Sequence, residues 1–144
     1  MSDLLVTCSR DLMEITPQIV QLIRIEMRSG RGDDLTIPQF RTLRYVQKNP
    51  DTSLNSLADH LGLTPPSVSK LVDGLVKQDL ITRRESPIDR RKLTLVLTNN
   101  GEEIVNRARS KAQERLAEKM SLLSEPDLNT IHHAMELLST YFLS

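Results

Sequence analysis

Two helical patterns and two strand patterns follow one another between residues 53 and 98, and this succession limits the fold more than any other part of the chain. The helical patterns begin at capping hydroxyls, Ser53 and Thr64, and the first ends at Gly62. Serine and threonine accept hydrogen bonds from free N–H groups at a helix start, and glycine tolerates the left-handed conformation that often ends a helix. We therefore expect two helices joined by a tight turn. Their buried positions should be Leu54, Leu57, Ala58 and Leu61 in the first, and Val68, Leu71, Val72, Leu75 and Val76 in the second.

A β-hairpin is predicted directly after the second helix. Residues 80–83 and 93–97 are strand-like, and a polar loop containing Pro87 joins them. Within positions 83–92, five residues are basic (Arg83, Arg84, Arg90, Arg91, Lys92) and two are acidic (Glu85, Asp89), whereas the whole chain balances 19 Lys and Arg against 19 Asp and Glu. A chain without net charge attracts a polyanion only through such local sorting of charge. Asp89 is also placed to hold a neighbouring guanidinium in a fixed geometry.

Further helical patterns flank this segment on both sides. Residues 3–28 carry an apolar stripe, Pro17 inside it predicts a kink or a helix start, and residues 29–34 form a loop by composition. Thr36 and Gln39 predict a capping box for the next helix, which should bury Phe40, Leu43 and Val46 and end at residues 49–51. A charged helix should run from residue 101 to about residue 123, and another should begin near Ser124. The last helix has a narrow, coiled-coil-like apolar seam.

The composition bears on compartment and on nucleic-acid class. Cys8 is the only cysteine, so an internal disulfide is impossible and a reducing compartment is expected. The apolar run at residues 4–6 is too short for a signal sequence or a membrane span. We therefore expect a cytoplasmic protein without a membrane partner. Only 3% of the residues are aromatic, which disfavours stacking on single-stranded bases.

No residue pattern indicates catalysis. His60, His132 and His133 have no metal-ligand spacing with a carboxylate or thiol, so no metal is expected. A nucleophile, base and oxyanion set is not apparent, nor is a glycine-rich phosphate loop. We expect neither an enzyme nor a cofactor. Cys8 is interpreted as an inert thiol, and the alternative is a redox sensor, although no tyrosine lies near it in sequence.

Taken in order, these motifs resemble those of the MarR family of winged-helix regulators. The matching segments are LTIPQF at residues 35–40, LADHLGL at 57–63, PSVSKLV at 66–72, LITR at 80–83, DRR at 89–91 and LTNNG at 97–101. The resemblance implies an α+β, mainly α-helical fold: a winged helix-turn-helix domain with N- and C-terminal dimerisation helices. Residues 1–144 would form a single domain, with a DNA-binding lobe at 35–99 and dimerisation helices at 1–34 and 100–144.

The resemblance also implies a homodimer that binds double-stranded DNA at a pseudo-palindromic operator, usually as a repressor released by a small ligand or by oxidation. Matching positions would place Thr64, Pro65, Ser67, Ser69 and Lys70 at the major groove or its phosphates. Arg91, oriented by Asp89, would enter the minor groove, while Arg84, Arg90 and Lys92 contact the backbone. Dimerisation would use Leu12, Ile15 and Ile19 near the N-terminus, and Leu128, Ile131, Met135, Leu138 and Phe142 near the C-terminus.

Two positions depart from the family pattern. In this family the second of the two helices, here the one that Thr64 caps, is the recognition helix, and the hairpin after it is the wing. Family members often carry a basic residue in the recognition helix that pairs with the wing aspartate, and here that position is Gly74. Asp89 would then have only its loop neighbours as partners, which puts the rigidity of the wing in doubt. The glycine usual before the first wing strand is Asp79, which would have to adopt an unusual backbone conformation.

A ligand pocket is expected between the DNA-binding lobe and the dimerisation helices. Arg24, Arg44 and Tyr45 would suit a small anionic aromatic ligand there, or they are simply exposed residues. Two alternatives to the main interpretation remain. One is a helical protein-interaction adapter that has lost DNA binding, which zero net charge and Gly74 favour. The other is a winged helix of a different regulator family, which would differ mainly in how the dimer forms.

Overall fold

The computed structural model describes residues 1–31 and 35–143, without the side chains of residues 30 and 31. The elements in chain order are α1 (Asp3–Arg31), α2 (Ile37–Lys48), α3 (Leu54–Leu61), α4 (Pro65–Lys77), β1 (Ile81–Glu85), β2 (Leu93–Leu97), α5 (Asn99–Met120) and α6 (Glu125–Phe142). The chain divides into two compact units, Met1–Ala112 and Gln113–Ser144. The predicted mainly helical winged helix-turn-helix fold is confirmed.

Local capping chemistry sets the helix boundaries around the lobe. Thr36 and Gln39 form the predicted capping box: the Gln39 N–H donates to Thr36 Oγ1 at 3.3 Å, and the Thr36 N–H donates to Gln39 Oε1 at 2.8 Å. Ser53 and Thr64 cap α3 and α4 as predicted. Gly62 ends α3 with φ of +68°, the left-handed conformation in which a side chain would be strained. Each such cap stabilises its helix by about 1 kcal/mol.

The hydrophobic core lies in the first unit, where α2, α3 and α4 pack together with the two strands. Leu43, Val46, Leu57, Val68, Val72, Leu75, Ile81, Leu95 and Val105 have at most 2% of their surface exposed. Of the twelve positions predicted to be buried, nine are buried, and Leu54, Leu71 and Val76 are partly buried against the same core. Burial of each such side chain contributes roughly 1.5–3 kcal/mol, so this core holds α4 and the hairpin together.

The strands β1 and β2 form an antiparallel hairpin, in which Arg83 lies opposite Leu95 and Arg84 lies opposite Thr94. The hairpin extends beyond these two strands. The Asp51 N–H donates to the Leu95 carbonyl at 3.0 Å, and the Leu95 N–H donates to the Thr52 carbonyl at 2.9 Å. The turn between α2 and α3 (residues 49–53, the α2–α3 turn) is therefore bonded to β2 like a short third strand.

Two predictions at the N-terminal end are corrected. α1 continues through Pro17 as one helix of 29 residues, so the helix start predicted there is wrong. It also reaches Arg31, past the predicted loop start at residue 29. A serine or glycine lowers helix propensity by at most about 1 kcal/mol, which does not by itself end a helix that is already formed. Residues 32–34 of the predicted loop lie outside the described residues.

Candidate nucleic-acid interface

The helix α4 presents a polar face opposite its buried face. Val68, Val72 and Leu75 are buried in the core. The residues predicted to meet DNA lie on the other side: Thr64, Pro65, Ser67 and Lys70 are exposed, and Ser69 is half-buried. Thr64 caps the helix by accepting a hydrogen bond from the Ser67 N–H, so the start of α4 is fixed where the polar residues begin. Hydroxyl and ammonium groups in this arrangement can bond phosphates and base edges.

The loop between the strands (residues 86–92, the wing tip) is closed by its own hydrogen bonds. The Ser86 N–H donates to the Lys92 carbonyl at 2.9 Å, and the Lys92 N–H donates to the Asp89 carbonyl at 3.0 Å. Asp89 Oδ1 accepts from the Arg91 N–H at 3.0 Å and lies 3.6 Å from Arg91 Nε. The predicted contact of Asp89 with a neighbouring guanidinium is thus present. Arg91 keeps 94% of its side chain exposed, so the contact orients the guanidinium without covering it.

The first strand is held by ion pairs on both of its faces. Arg83 pairs with Asp73 of α4. The next residue, Arg84, makes a bidentate pair with Asp51: Nε to Oδ1 and Nη2 to Oδ2 are both 2.7 Å. Successive strand residues point to opposite faces, so two adjacent arginines attach β1 to two different elements. These pairs attach β1 to α4 and to the α2–α3 turn, while the Asp89 carboxylate, among the described residues, is bonded only to its loop neighbour Arg91.

Arg84 stands in a different environment from the one predicted. Its guanidinium already bonds the Asp51 carboxylate, which also accepts a hydrogen bond from the Thr94 hydroxyl at 3.0 Å. The hydrogen bonds from Arg84 and Thr94 hold the pKa of Asp51 below its usual value despite some desolvation. The same pair raises the pKa of Arg84. Asp51, Asp73 and Arg83 were not among the predicted site residues, because their pairings join positions at least ten residues apart without a sequence motif.

Asp79 has the unusual backbone conformation that its position predicted. Its φ is +58°, in the left-handed region. The Thr98 hydroxyl donates to the Asp79 carbonyl at 2.6 Å, and Asn100 Nδ2 donates to Asp79 Oδ2 at 2.9 Å. These bonds tie the residue before the wing to the start of α5, which offsets the cost of the conformation.

A cavity of about 500 Å³ lies between α1 and α2. Arg24 lines it as predicted, together with Gln21, Ile23, Met27, Arg28, Ile37, Phe40 and Arg41. Arg44 and Tyr45, which were predicted to line the same pocket, do not line this cavity. Arg44 Nη1 donates to Gln47 Oε1 at 2.6 Å, and burial, aided by the charge of Arg109, lowers the pKa of Arg44. Tyr45 stacks on His60 with ring centroids 4.3 Å apart. The predicted trio is thus not brought together, because Arg44 and Tyr45 are engaged by other side chains.

Helices α1 and α6, which belong to different units, each carry several exposed large apolar side chains. On α1 of the first unit, Ile15 and Ile19 are exposed and Leu12 is half-buried. On α6 of the second unit, none of the residues is buried, and Met135 and Phe142 are 52% and 71% exposed. Leu128 and Ile131 of α6 are exposed as well, and Leu138 is half-buried. A helix of 18 residues without one buried side chain lacks the packing that normally stabilises helices in proteins.

The remaining candidate residues do not assemble into a second site. His132 and His133 both lie beside Glu136 on α6, at 3.6 and 3.7 Å, and Cys8 is exposed on α1. Among residues 1–31 and 35–143, no three His, Cys, Asp or Glu side chains are grouped so as to hold a metal ion. Within the same residues, no helix combines the length and the apolar character that crossing a membrane requires.

Two crossing helices with a glycine turn, followed by a hairpin that carries a basic tip, define a winged helix-turn-helix protein. A family model described as MarR family matches residues 33–92. The uncharacterized HTH-type transcriptional regulator YhbI of Bacillus subtilis is 37% identical over 75 residues, which cover 52% of this chain and 49% of that protein, so the match spans about half the length of this relative. Over residues 33–92 the chain is thus similar to the MarR family, and its fold is that of a winged helix-turn-helix protein.

Solved structures show the same fold over nearly the whole chain. The transcriptional regulator Tm0710 of Thermotoga maritima superposes with a TM-score of 0.82 at 23% identity, covering 94% of this chain and 99% of that one. A mutant of the S. aureus protein MepR, bound to an oligodeoxyribonucleotide, superposes with a TM-score of 0.65 at 25% identity, covering 88% of this chain and 94% of that one.

Proposed function

We propose that this protein is a sequence-specific, double-stranded DNA-binding repressor that acts as a homodimer in the cytoplasm. The observation that carries the proposal is the joint presentation of an exposed polar helix face and an exposed arginine-rich wing tip on one rigid lobe. A helix of this kind fits the major groove, and an arginine beside it fits the narrow minor groove, where the negative potential is strongest. The similarity to a MepR structure that contains an oligodeoxyribonucleotide supports this assignment.

The roles of the side chains follow from their exposure. Thr64, Pro65, Ser67, Ser69 and Lys70 would face the major groove and its phosphates. Arg91 would enter the minor groove, and Asp89 would limit the freedom that its guanidinium loses on binding. Arg90 and Lys92 would contact the phosphate backbone. The neutral net charge of the chain makes this local concentration of positive charge the main source of attraction to DNA.

The apolar faces of α1 and α6 support dimerisation through the terminal helices. Large apolar side chains along both helices gain stability when a second subunit covers them. A two-fold dimer presents two recognition helices, which would read half-sites about 10 base pairs apart, one turn of the double helix. The operator would then be pseudo-palindromic.

The cavity between α1 and α2 supports the response to a small ligand. Three arginines, Arg24, Arg28 and Arg41, line it together with apolar residues that include Met27 and Phe40, and none of its described lining residues is acidic. Cations beside apolar walls suit an anion with an aromatic or other apolar body. Arg24→Ala should therefore weaken release from DNA by such an anion, if the cavity is the ligand site.

The proposal is tested by binding to the promoter region beside the protein's own gene. Wild-type protein should shift this DNA, and Arg91→Ala should weaken binding by roughly 1–3 kcal/mol while leaving the thermal unfolding midpoint unchanged. Arg107→Ala, which removes the same charge from an exposed position on α5, is the matched control and should bind like wild type.

A salt titration provides the opposing outcome. Phosphate contacts strengthen steeply as salt falls, so a DNA-binding protein must bind this DNA at low salt even when its affinity is modest. Absence of any shift at low salt would favour the adapter alternative. An Arg91→Ala variant of undiminished affinity would remove the wing tip from the mechanism.

A further inference from the structure

Asp51 lies outside the surface that we assign to DNA, yet its backbone is strained. Its φ is +65°, in the left-handed region that non-glycine residues rarely adopt. Such a conformation persists only where the surrounding structure holds it. The hydrogen bonds of the Asp51 carboxylate and N–H hold this conformation, and all of their partners are residues of β1 and β2.

The Asp51 carboxylate bonds both wing strands at once. Oδ1 accepts from Arg84 Nε of β1 at 2.7 Å and from the Thr94 hydroxyl of β2 at 3.0 Å, while Oδ2 accepts from Arg84 Nη2 at 2.7 Å. Arg84 and Thr94 are opposite each other in the hairpin register. One carboxylate therefore ties together a cross-strand pair and attaches it to the α2–α3 turn.

The backbone of the same turn adds a second attachment. The Asp51 N–H donates to the Leu95 carbonyl at 3.0 Å, and Thr52 pairs with Leu95 as an isolated β-bridge. Through these bonds and the carboxylate, the wing is joined to the segment that leads into α3. Because α3 packs on α4 in the same core, the α2–α3 turn links the wing strands to the elements that carry α4.

We propose that Asp51 is a positioning residue for DNA binding, and that Arg84 acts through Asp51 and not as a phosphate contact. This inference rests on the proposed function. It concerns how the two DNA-facing parts keep their relative placement, since a groove contact by Arg91 depends on the angle at which β1 and β2 leave the core.

The two possible roles of Arg84 predict opposite effects of removing the Asp51 charge. If Arg84 contacts phosphate, Asp51 competes with DNA for the guanidinium, and its neutralisation should strengthen binding. If the pair positions the wing, the same change should weaken binding. Asp51→Asn is the suitable variant because asparagine has the same shape and also tolerates the left-handed conformation.

The experiment compares operator affinity and its salt dependence for wild type, Asp51→Asn, Arg84→Ala and the double variant, at a temperature well below every unfolding midpoint. We expect each single variant to raise the operator Kd by roughly tenfold, and the double variant to be no weaker than either, because both changes break one unit. The slope of log affinity against log salt should be the same in all three variants, because each displaces the same wing-tip contacts and Arg84 makes no phosphate contact of its own. Asp59→Asn, an equal change of charge at an exposed position on α3, is the control and should not weaken binding.

Other results would contradict the positioning role of Asp51 or the proposed function. Asp51→Asn binding that equals or exceeds wild type would overturn the inference, as would a slope in Arg84→Ala that is shallower than that of Asp51→Asn by about 0.9, the value for one lost phosphate contact. A change confined to the unfolding midpoint would also overturn it, because a purely structural role lowers stability without altering the affinity of the folded protein. Wild-type protein that fails to shift DNA at low salt would overturn the proposed function, and this inference with it.

Discussion

Gly101 lies in the first turn of α5, where the helix packs against Leu80, the residue directly before β1. A Cβ atom built on Gly101 would be 2.3 Å from the Leu80 carbonyl oxygen and 3.2 Å from its carbon. The same oxygen accepts a hydrogen bond from the Thr98 N–H at 3.1 Å. The absence of a side chain at this position therefore lets α5 pack directly against the backbone that leads into β1.

Gly101→Ala should lower the free energy of unfolding by about 1–3 kcal/mol, the usual cost of overpacking. Alanine favours a helix by about 1 kcal/mol over glycine, but that gain is outweighed because the clash is with backbone that cannot rotate away. Urea unfolding monitored by circular dichroism measures the change. A variant as stable as wild type would show that α5 can move away from Leu80 at little cost.

The helix α4 offers the opposite case at Gly74. A Cβ built there meets nothing within 4 Å, and the residue has an ordinary helical backbone. Its glycine is thus not required by packing, and it weakens the recognition helix.

Gly74→Ala should raise the free energy of unfolding by about 0.5–1 kcal/mol, because alanine restricts the unfolded chain and favours the helix. The same urea series applies, and Gly101→Ala is the matched comparison: the same replacement, in the same chain, with the opposite sign. Loss of stability in Gly74→Ala would mean that a neighbouring segment approaches α4 more closely than the contacts described above.

The local chemistry of helices α2, α3, α4 and α6 explains why their boundaries could be predicted from the sequence. Caps such as Thr36 and Ser124 act within three residues of themselves, so their patterns can be recognised along the chain. The attachment of β1 could not be predicted in this way. Asp51 and Arg84 are 33 residues apart, and no periodic pattern connects a turn residue with one strand residue rather than another. The structure leaves the proposed DNA-facing residues of α4 and the wing tip on the surface, where they stay a prediction, and the sequence did not reveal the residues that attach β1.

The ligand residues show the same limit. Arg24 was predicted correctly to line a cavity, but Arg44 and Tyr45 were assigned to it on residue type alone. Whether an arginine lines a cavity or bonds a neighbour depends on which way its helix faces. For α2 this facing is set by the packing of Phe40 and Leu43, which leaves Arg41 towards α1 and takes Arg44 to Gln47.

At the scale of the whole molecule, the exposed apolar side chains of α6 are expected to lie in a dimer interface. The α6 helix, with no buried residue, is expected to be stabilised by a second subunit. Met135→Glu should raise the dimer dissociation constant at least about tenfold, because a carboxylate would be buried on each side of a two-fold interface. Sedimentation equilibrium measures the constant. Asn129→Glu, also exposed on α6 but outside the apolar seam, is the control. A Met135→Glu protein that dimerises like wild type would exclude this face of α6 from the interface.

The backbone bridge between Thr52 and Leu95 has a consequence for motion. The second strand of the wing, β2, shares hydrogen bonds with the α2–α3 turn, which leads into the helix-turn-helix. Opening of the strand would expose the Asp51 and Leu95 amides and release the Arg84 guanidinium in one event, so strand and helices form a single cooperative unit. In the proposed function, release of DNA would then require this unit to shift or rotate as a body, since folding the wing back alone would require partial unfolding of the lobe.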